Sequence, residues 1–175
     1  MVVLDTERLR LRLPREDDLE SLAAMHADAD TMRYMGGTLD RTQSWRSIAM
    51  SLGHWQMRGY GMFAVESRTD GSFLGRVGFL YPEGWPGFEI GWLIGCEHRG
   101  RGYATEAATA ALDWCFRTLE QNHVISLIHR DNAPSARVAE KLGERPEGET
   151  RIQDIDVIIY GMDRSSWRTR QSGSA

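Results

Sequence analysis

The chain has 175 residues, 41% hydrophobic and 26% charged, a size and balance that suit one globular domain able to bury its own core. A net charge of −4 argues against nucleic acid as the main partner and leans toward a cationic ligand such as an amine. Two cysteines, Cys96 and Cys115, exclude a disulfide framework and a cysteine-rich zinc site, and no apolar run approaches the roughly 20 residues of a membrane span.

Leu9, Leu11 and Leu13 alternate with Arg8, Arg10 and Arg12, which predicts a half-buried strand that Pro14 ends. Leu19, Leu22, Ala23 and His26 fall at helical spacing over 16–27. A second helix, 42–58, is expected to carry Trp45, Ile48, Leu52 and Trp55 on one face and to stop at Gly59. Strands at 62–66 and 73–79 flank Thr69-Asp70-Gly71, a hairpin signal, and another strand covers 88–94 after Pro86-Gly87. A helix over 103–118 has a stripe of Ala104, Ala107, Ala108, Ala111, Leu112 and Cys115, small enough to lie close on a sheet. His123–Ile128 is read as a buried strand. A helix follows with Asn132 as N-cap, Pro134 in its first turn and Gly143 just past its end. Segments 149–154 and 155–162 form a last hairpin. The order β-α-α-β-β-β-α-β-α-β-β describes a mixed sheet with helices on its faces, an α/β (α+β mixed-sheet) architecture in a single domain over 1–167. The polar residues 168–175 are expected to be a disordered tail.

The most informative stretch runs from Glu89 through Arg99-Gly100-Arg101-Gly102-Tyr103-Ala104-Thr105: strand, short connection, glycine-bearing turn, helix. A helix N-terminus offers unpaired N–H groups and partial positive charge. Gly100 and Gly102 let those groups close on an anion, and Arg99 and Arg101 add fixed charge, so phosphate or pyrophosphate is the natural ligand. Thr105 stands where a dinucleotide fingerprint has its third glycine, and the Gly-Lys-Ser/Thr ending of a nucleoside-triphosphate loop is absent. A helix start whose glycines merely turn the chain remains an alternative.

Arg99-x-x-Gly102-x-Ala104 resembles the Arg/Gln-x-x-Gly-x-Gly/Ala signature of the GNAT (Gcn5-related N-acetyltransferase) superfamily. The wider chain is similar to the branch that contains ribosomal-protein N-terminal acetyltransferases. Thr6–Arg12 resembles that branch's opening strand, Arg33–Gly37 the junction of its first two helices, and Asn132–Gly143 its second cofactor motif. The resemblance implies a GNAT-like fold and acetyl-CoA as cosubstrate. It implies that the backbone of Trp92, Leu93 and Ile94 pairs with the pantetheine arm. It also implies that Arg99, Gly100, Arg101, Gly102, Tyr103, Ala104 and Thr105 hold the pyrophosphate, and that Asn132 bonds the cofactor near its pantetheine. The strands at 88–94 and 123–128 would splay to admit it.

Transfer from a thioester to an amine needs a neutral amine, a donor to the oxyanion and a proton for the thiolate. Glu89, on the strand that would line the thioester, is the expected general base; a carboxylate paired with an arginine on a neighbouring strand is the alternative. Many members of the superfamily have a tyrosine where this chain has Ala139, and the resemblance offers Ser135 as its substitute. Ser135 is also placed to satisfy N–H groups of a helix's first turn. The branch's Leu-Gly-Phe becomes Leu142-Gly143-Glu144. Lys141 is read as a cation at a helix C-terminus, and Cys96 as a small loop residue rather than an acyl-carrying nucleophile. His26, His54, His123 and His129 show no ligand spacing, so no metal is expected.

On the acceptor side, family analogy names Tyr34 and Trp85 as substrate-binding, with Trp55 and Tyr81 as further aromatic walls. The expected activity is direct acetyl transfer to an amine-bearing small molecule or a protein N-terminus; a catalytically silent acyl-CoA-binding module is the rival. A homodimer is allowed, and neither nucleic acid nor membrane is an expected partner. Met-Val-Val-Leu runs at once into Asp5 and Glu7, unlike a secretory signal, so a cytoplasmic location is expected.

Overall fold

Alternating apolar positions and short turns lay down eight strands in one sheet, ordered β1-β2-β3-β4-β5-β6-β8-β7. In this computed structural model, residues 2–152 and 154–173 are described. The strands are β1 (Leu4–Asp5), β2 (Leu9–Arg12), β3 (Met62–Ser67), β4 (Phe73–Leu80), β5 (Glu89–Ile94), β6 (His123–His129), β7 (Arg145–Ile152) and β8 (Ile155–Asp163). The helices are α1 (Leu19–Ala27), α2 (Ala29–Met32), α3 (Arg41–Arg58), α4 (Tyr103–Thr118), α5 (Ala133–Leu142) and α6 (Arg164–Gly173). None of them is long and apolar enough to cross a membrane.

Neighbours in the sheet are antiparallel except β5 and β6, which run parallel and share a single registered pair, Glu89↔Ile125. The α4 crossover between those two strands supplies the long connection that a parallel pair needs. The alanine stripe behaves as its small side chains demand: Ala107, Ala108, Ala111, Leu112 and Cys115 are fully buried against Phe63, Val77, Phe79 and Ile90. The opposite face of the sheet is covered by α1, α2 and α3 through Leu19, Leu22, Met25, Met32 and Ile48, which pack with Leu93 and Phe73 of the sheet.

Helix α3 begins with a reciprocal capping box between Asp40 and Gln43 and ends at Gly59 in the left-handed region. Its buried face is Ser44, Ile48, Ser51 and Trp55, so the apolar stripe read from the sequence is rotated, and Trp45 and Leu52 are exposed. The strand expected from residue 149 starts at Arg145, with a bulge between Pro146 and Gly148.

Residues 168–173, expected to be a disordered tail, instead continue α6. Trp167 fixes that helix: it is buried against Phe116 and donates its indole N–H to Asp113 Oδ1 at 2.8 Å. Arg170 then reaches the Lys141 carbonyl at the end of α5, at 2.8 Å. The remaining tail residues, 174–175, lie outside the described residues.

Candidate active site

Past β5 the chain makes one tight turn over Cys96–His98, then the glycine turn, and enters α4 at Tyr103. Gly100 and Gly102 have φ of 73° and 82°, where a side chain would cost about 1–2 kcal/mol. Nothing lies within 4 Å of where a Cβ on Gly100 would stand, so the turn's backbone faces open space. Arg8, just ahead of β2, braces this turn: it pairs with Glu106 at 2.6 Å, donates to the Arg101 carbonyl at 3.0 Å and lies 4.7 Å over the Tyr103 ring. Arg99 folds back, donating from Nε to the Ile94 carbonyl at 3.1 Å. Arg99, Gly100, Gly102, Tyr103, Ala104 and Thr105 all line one cavity of ≈430 Å³ that extends into the β5–β6 junction; Arg101 stays on its outer side.

Beyond the Glu89↔Ile125 pair, the two strands are bridged by a side chain: Ser126 Oγ donates to the Ile90 carbonyl at 2.9 Å. Glu89 lies beside this gap, 8% exposed, and lines the cavity. Its carboxyl accepts the Trp85 indole N–H at 2.6 Å. Burial pushes its pKa up to about 7, against the pull of the hydrogen bonds from Trp85 and the Leu127 backbone N–H. No arginine pairs with it among the described residues, so the ion-pair alternative does not apply. Trp85 holds this carboxyl and does not itself line the cavity.

A second acid lies beneath. Glu144 is fully buried, its Oε1 is 3.1 Å from Ser126 Oγ, and its Oε2 has no hydrogen-bond partner. Burial pushes its pKa up to about 8. A hydroxyl has one proton, so Ser126 Oγ cannot donate to the Ile90 carbonyl and to Glu144 at once; with its proton on Ile90, a neutral Glu144 acid would donate to Ser126. The folded state thus holds a proton that the unfolded chain releases above its ordinary value of 4.5. Stability from this group is full below that pH and falls as pH rises toward about 8. Urea titrations across this window should show Glu144→Gln losing less stability with pH than the parent, by up to ~1.4 kcal/mol per pH unit. Parallel curves would refute the neutral acid.

Asn132 caps α5 as its sequence predicts, Oδ1 accepting the Ser135 N–H at 3.2 Å. Ser135 is therefore free of capping duty, and its Oγ accepts the Trp92 indole N–H at 3.3 Å. Asn132, Ser135, Trp92, Leu93 and Ile94 line the same cavity as the glycine turn. Ala139 is fully buried against Ile128 and Tyr160. Tyr34 lines the cavity, its ring 5.2 Å from that of His129. Trp55 is a core residue, donating to the Met62 carbonyl at 2.9 Å, and no acceptor wall. Cys96 does not line the cavity, and hydrogen bonds to Asp28 and then Glu97 raise its pKa, which opposes a thiolate.

A family model described as "Acetyltransferase (GNAT) domain" matches residues 8–145. The chain belongs to the GNAT acetyltransferase family. An uncharacterized Bacillus subtilis (strain 168) protein, YkkB, is 35% identical over 165 residues, covering 90% of this chain and 93% of its own. An acetyltransferase from Agrobacterium tumefaciens str. C58 superposes with a TM-score of 0.85 at 31% identity, over 93% of this chain and 94% of that one. The ribosomal L7/L12 alpha-N-protein acetyltransferase RimL, in complex with coenzyme A, shares the fold with a TM-score of 0.77 at 17% identity, over 93% and 98% of the two chains. This GNAT protein is an N-acetyltransferase by family, and the GNAT fold binds acetyl-CoA.

Arg76, Ser126 and Glu144 are cavity or sub-cavity residues that the sequence reading did not single out as functional. A lone arginine inside an apolar strand and a glutamate in place of the branch's phenylalanine were the available signals.

Proposed function

We propose that this N-acetyltransferase moves an acetyl group from acetyl-CoA to a primary amine bound in the same cavity, by direct attack. Glu89 acts as base and Ser135 as hydrogen-bond donor to the departing sulfur. The observation that carries the reading is one cavity running from the glycine turn to a buried carboxyl of pKa about 7. A base poised near the working pH takes the amine's proton most effectively.

The residues present suit the cosubstrate. Left-handed glycines, the first N–H groups of α4 and Arg99 would hold its pyrophosphate, with Arg101 adding charge from the outer side. The β5 backbone at Trp92, Leu93 and Ile94 and the free Nδ2 of Asn132 would meet the pantetheine amides. Acetyl-CoA supplies the activated acyl group; the chain orients it and handles the protons. Because Ser135 Oγ accepts from Trp92, its own proton is available to the sulfur. Ser135→Ala should lower kcat about tenfold, the worth of one hydrogen bond of 1–1.5 kcal/mol, with little change in KM for acetyl-CoA. Unchanged kcat would remove Ser135 from the reaction. Trp85 is proposed to act through Glu89, and Tyr34 to line the acceptor's entry.

Ala139, in place of the tyrosine many relatives carry, favours one second reading: an acyl-CoA-binding module without turnover. Free-thiol release from acetyl-CoA across small amines and N-terminal peptides distinguishes the two. Steady thiol release with at least one amine supports transfer; tight acetyl-CoA binding with no release across the panel selects the binding module.

A further inference from the structure

Strand β4 buries Val77 and Phe79 under α4 and turns Arg76 to the other face, into the cavity. There the guanidinium has no counter-charge: no carboxylate lies within ion-pair distance of it among the described residues. Among the described residues its one hydrogen bond runs from Nη1 to Ser47 Oγ at 2.6 Å, and Nε and Nη2 have none. Burial alone lowers its pKa, to about 10, which keeps it protonated at neutral pH. The nearby His26 is neutral there, pushed down to about 4 by burial and by the charge of Arg76, and offers no compensation.

Arg76 is half-buried in the cavity wall, and a cation placed there without a counter-charge is positioned to pair with an anionic ligand. The planar fork of a guanidinium matches a carboxylate with two parallel hydrogen bonds. Arg76 is opposite Leu93 on β5, four residues along from Glu89 and on the same face of the sheet. That sets the two Cα positions about 13 Å apart along the strand. The same cavity wall carries apolar side chains, Met50, Met62 and Leu80 among them. The cavity therefore offers a base at one place, a cation at another and hydrocarbon surface as well.

We infer that the acceptor is a small primary amine carrying a carboxylate, which Arg76 grips while its amine faces Glu89. The inference rests on the acetyl-transfer reading above. It distinguishes this chain's substrate from a neutral or polycationic amine, which would leave Arg76 unpaired or repel it.

The test compares each acid with its carboxamide as acceptor: methionine, phenylalanine, β-alanine, 4-aminobutyrate and 6-aminohexanoate. The series also reads the distance from amine to carboxylate. At least one acid should exceed its amide in kcat/KM by about 10- to 100-fold, the worth of a charge-assisted pair, and Arg76→Gln should bring that ratio close to one. A variant that lowers acid and amide alike, or a parent that uses both equally, overturns the carboxylate site while leaving acetyl transfer standing. If no amine in a wider panel is acetylated, the transfer reading falls. Calorimetry of the CoA-loaded protein with N-acetylmethionine and N-acetyl-4-aminobutyrate then decides the site by itself. Binding that Arg76→Gln abolishes supports it, and no binding overturns it.

Discussion

Glu89→Gln should lower kcat by about 10²- to 10⁴-fold, the usual worth of a positioned base, while acetyl-CoA binds as before. The pH profile is the sharper readout. Burial pushes the Glu89 pKa up to about 7, and only the carboxylate can take a proton. The parent's kcat/KM should therefore fall about tenfold per pH unit below that value, and the residual activity of Glu89→Gln should lack this limb. Glutamine keeps the shape and the acceptor oxygen for Trp85, so the hydrogen bond from the indole survives the change. Full turnover in the variant, or an acid limb that persists in it, would exclude Glu89 as the base.

Gly102→Val should weaken acetyl-CoA binding by about 10- to 100-fold, equivalent to one or more charge-assisted hydrogen bonds. Gly102 is the N-cap of α4 with φ of 82°, a conformation that a β-branched residue avoids. Valine would rotate the turn and swing the first helical N–H groups away from the cavity. Gly71→Val is the control: its φ is 73° and it has open space around it, in the β3–β4 hairpin. Both variants should lose stability, but calorimetry with acetyl-CoA should find an affinity loss in Gly102→Val alone. Equal affinities would mean that the turn is scaffolding and the anion is held elsewhere.

The parts of this fold legible in the sequence are those whose signal is local. Leu9 and Leu11 alternate with arginines, and both are fully buried. Asn132, Pro134 and Gly143 bracket α5 because capping and left-handed geometry depend on a few adjacent residues. The glycine turn was visible for the same reason. β1 and α2, of two and four residues, are too short to carry a period. The first four residues of β7 include Pro146 and Gly148, which carry no strand period and are accommodated by a bulge.

Within the site, the sequence pointed to Glu89 but not to what surrounds it. Trp85 donates to that carboxyl from a loop four residues earlier, a contact no periodicity encodes. Glu144 was noticed as a missing aromatic; that it is a buried acid joined to Ser126 depends on β6, β7 and the end of α5 meeting in space. Nothing in the sequence marks what Arg76 faces, because the lack of a counter-charge is a property of the assembled cavity. The sequence suggests Trp55 for an acceptor wall, but the tertiary fold sets it edge-to-face with Phe63, ring centres 4.8 Å apart, in the core.

The lone parallel pair in the sheet has a dynamic consequence. β1 to β5 and β6 to β8 are each stitched by long antiparallel ladders, whereas the line between them is crossed by the Ile125 N–H to the Phe88 carbonyl and the Ser126 bridge. Opening along that line breaks few backbone bonds, so the two halves should exchange amide hydrogens as separate cooperative units. A molecule seated between the strands and bonded to both would raise the cost of that opening in proportion to the logarithm of its concentration over its Kd. Slowed exchange on both sides of the seam, rather than at the contact residues alone, is then the physical mark of an occupied cleft.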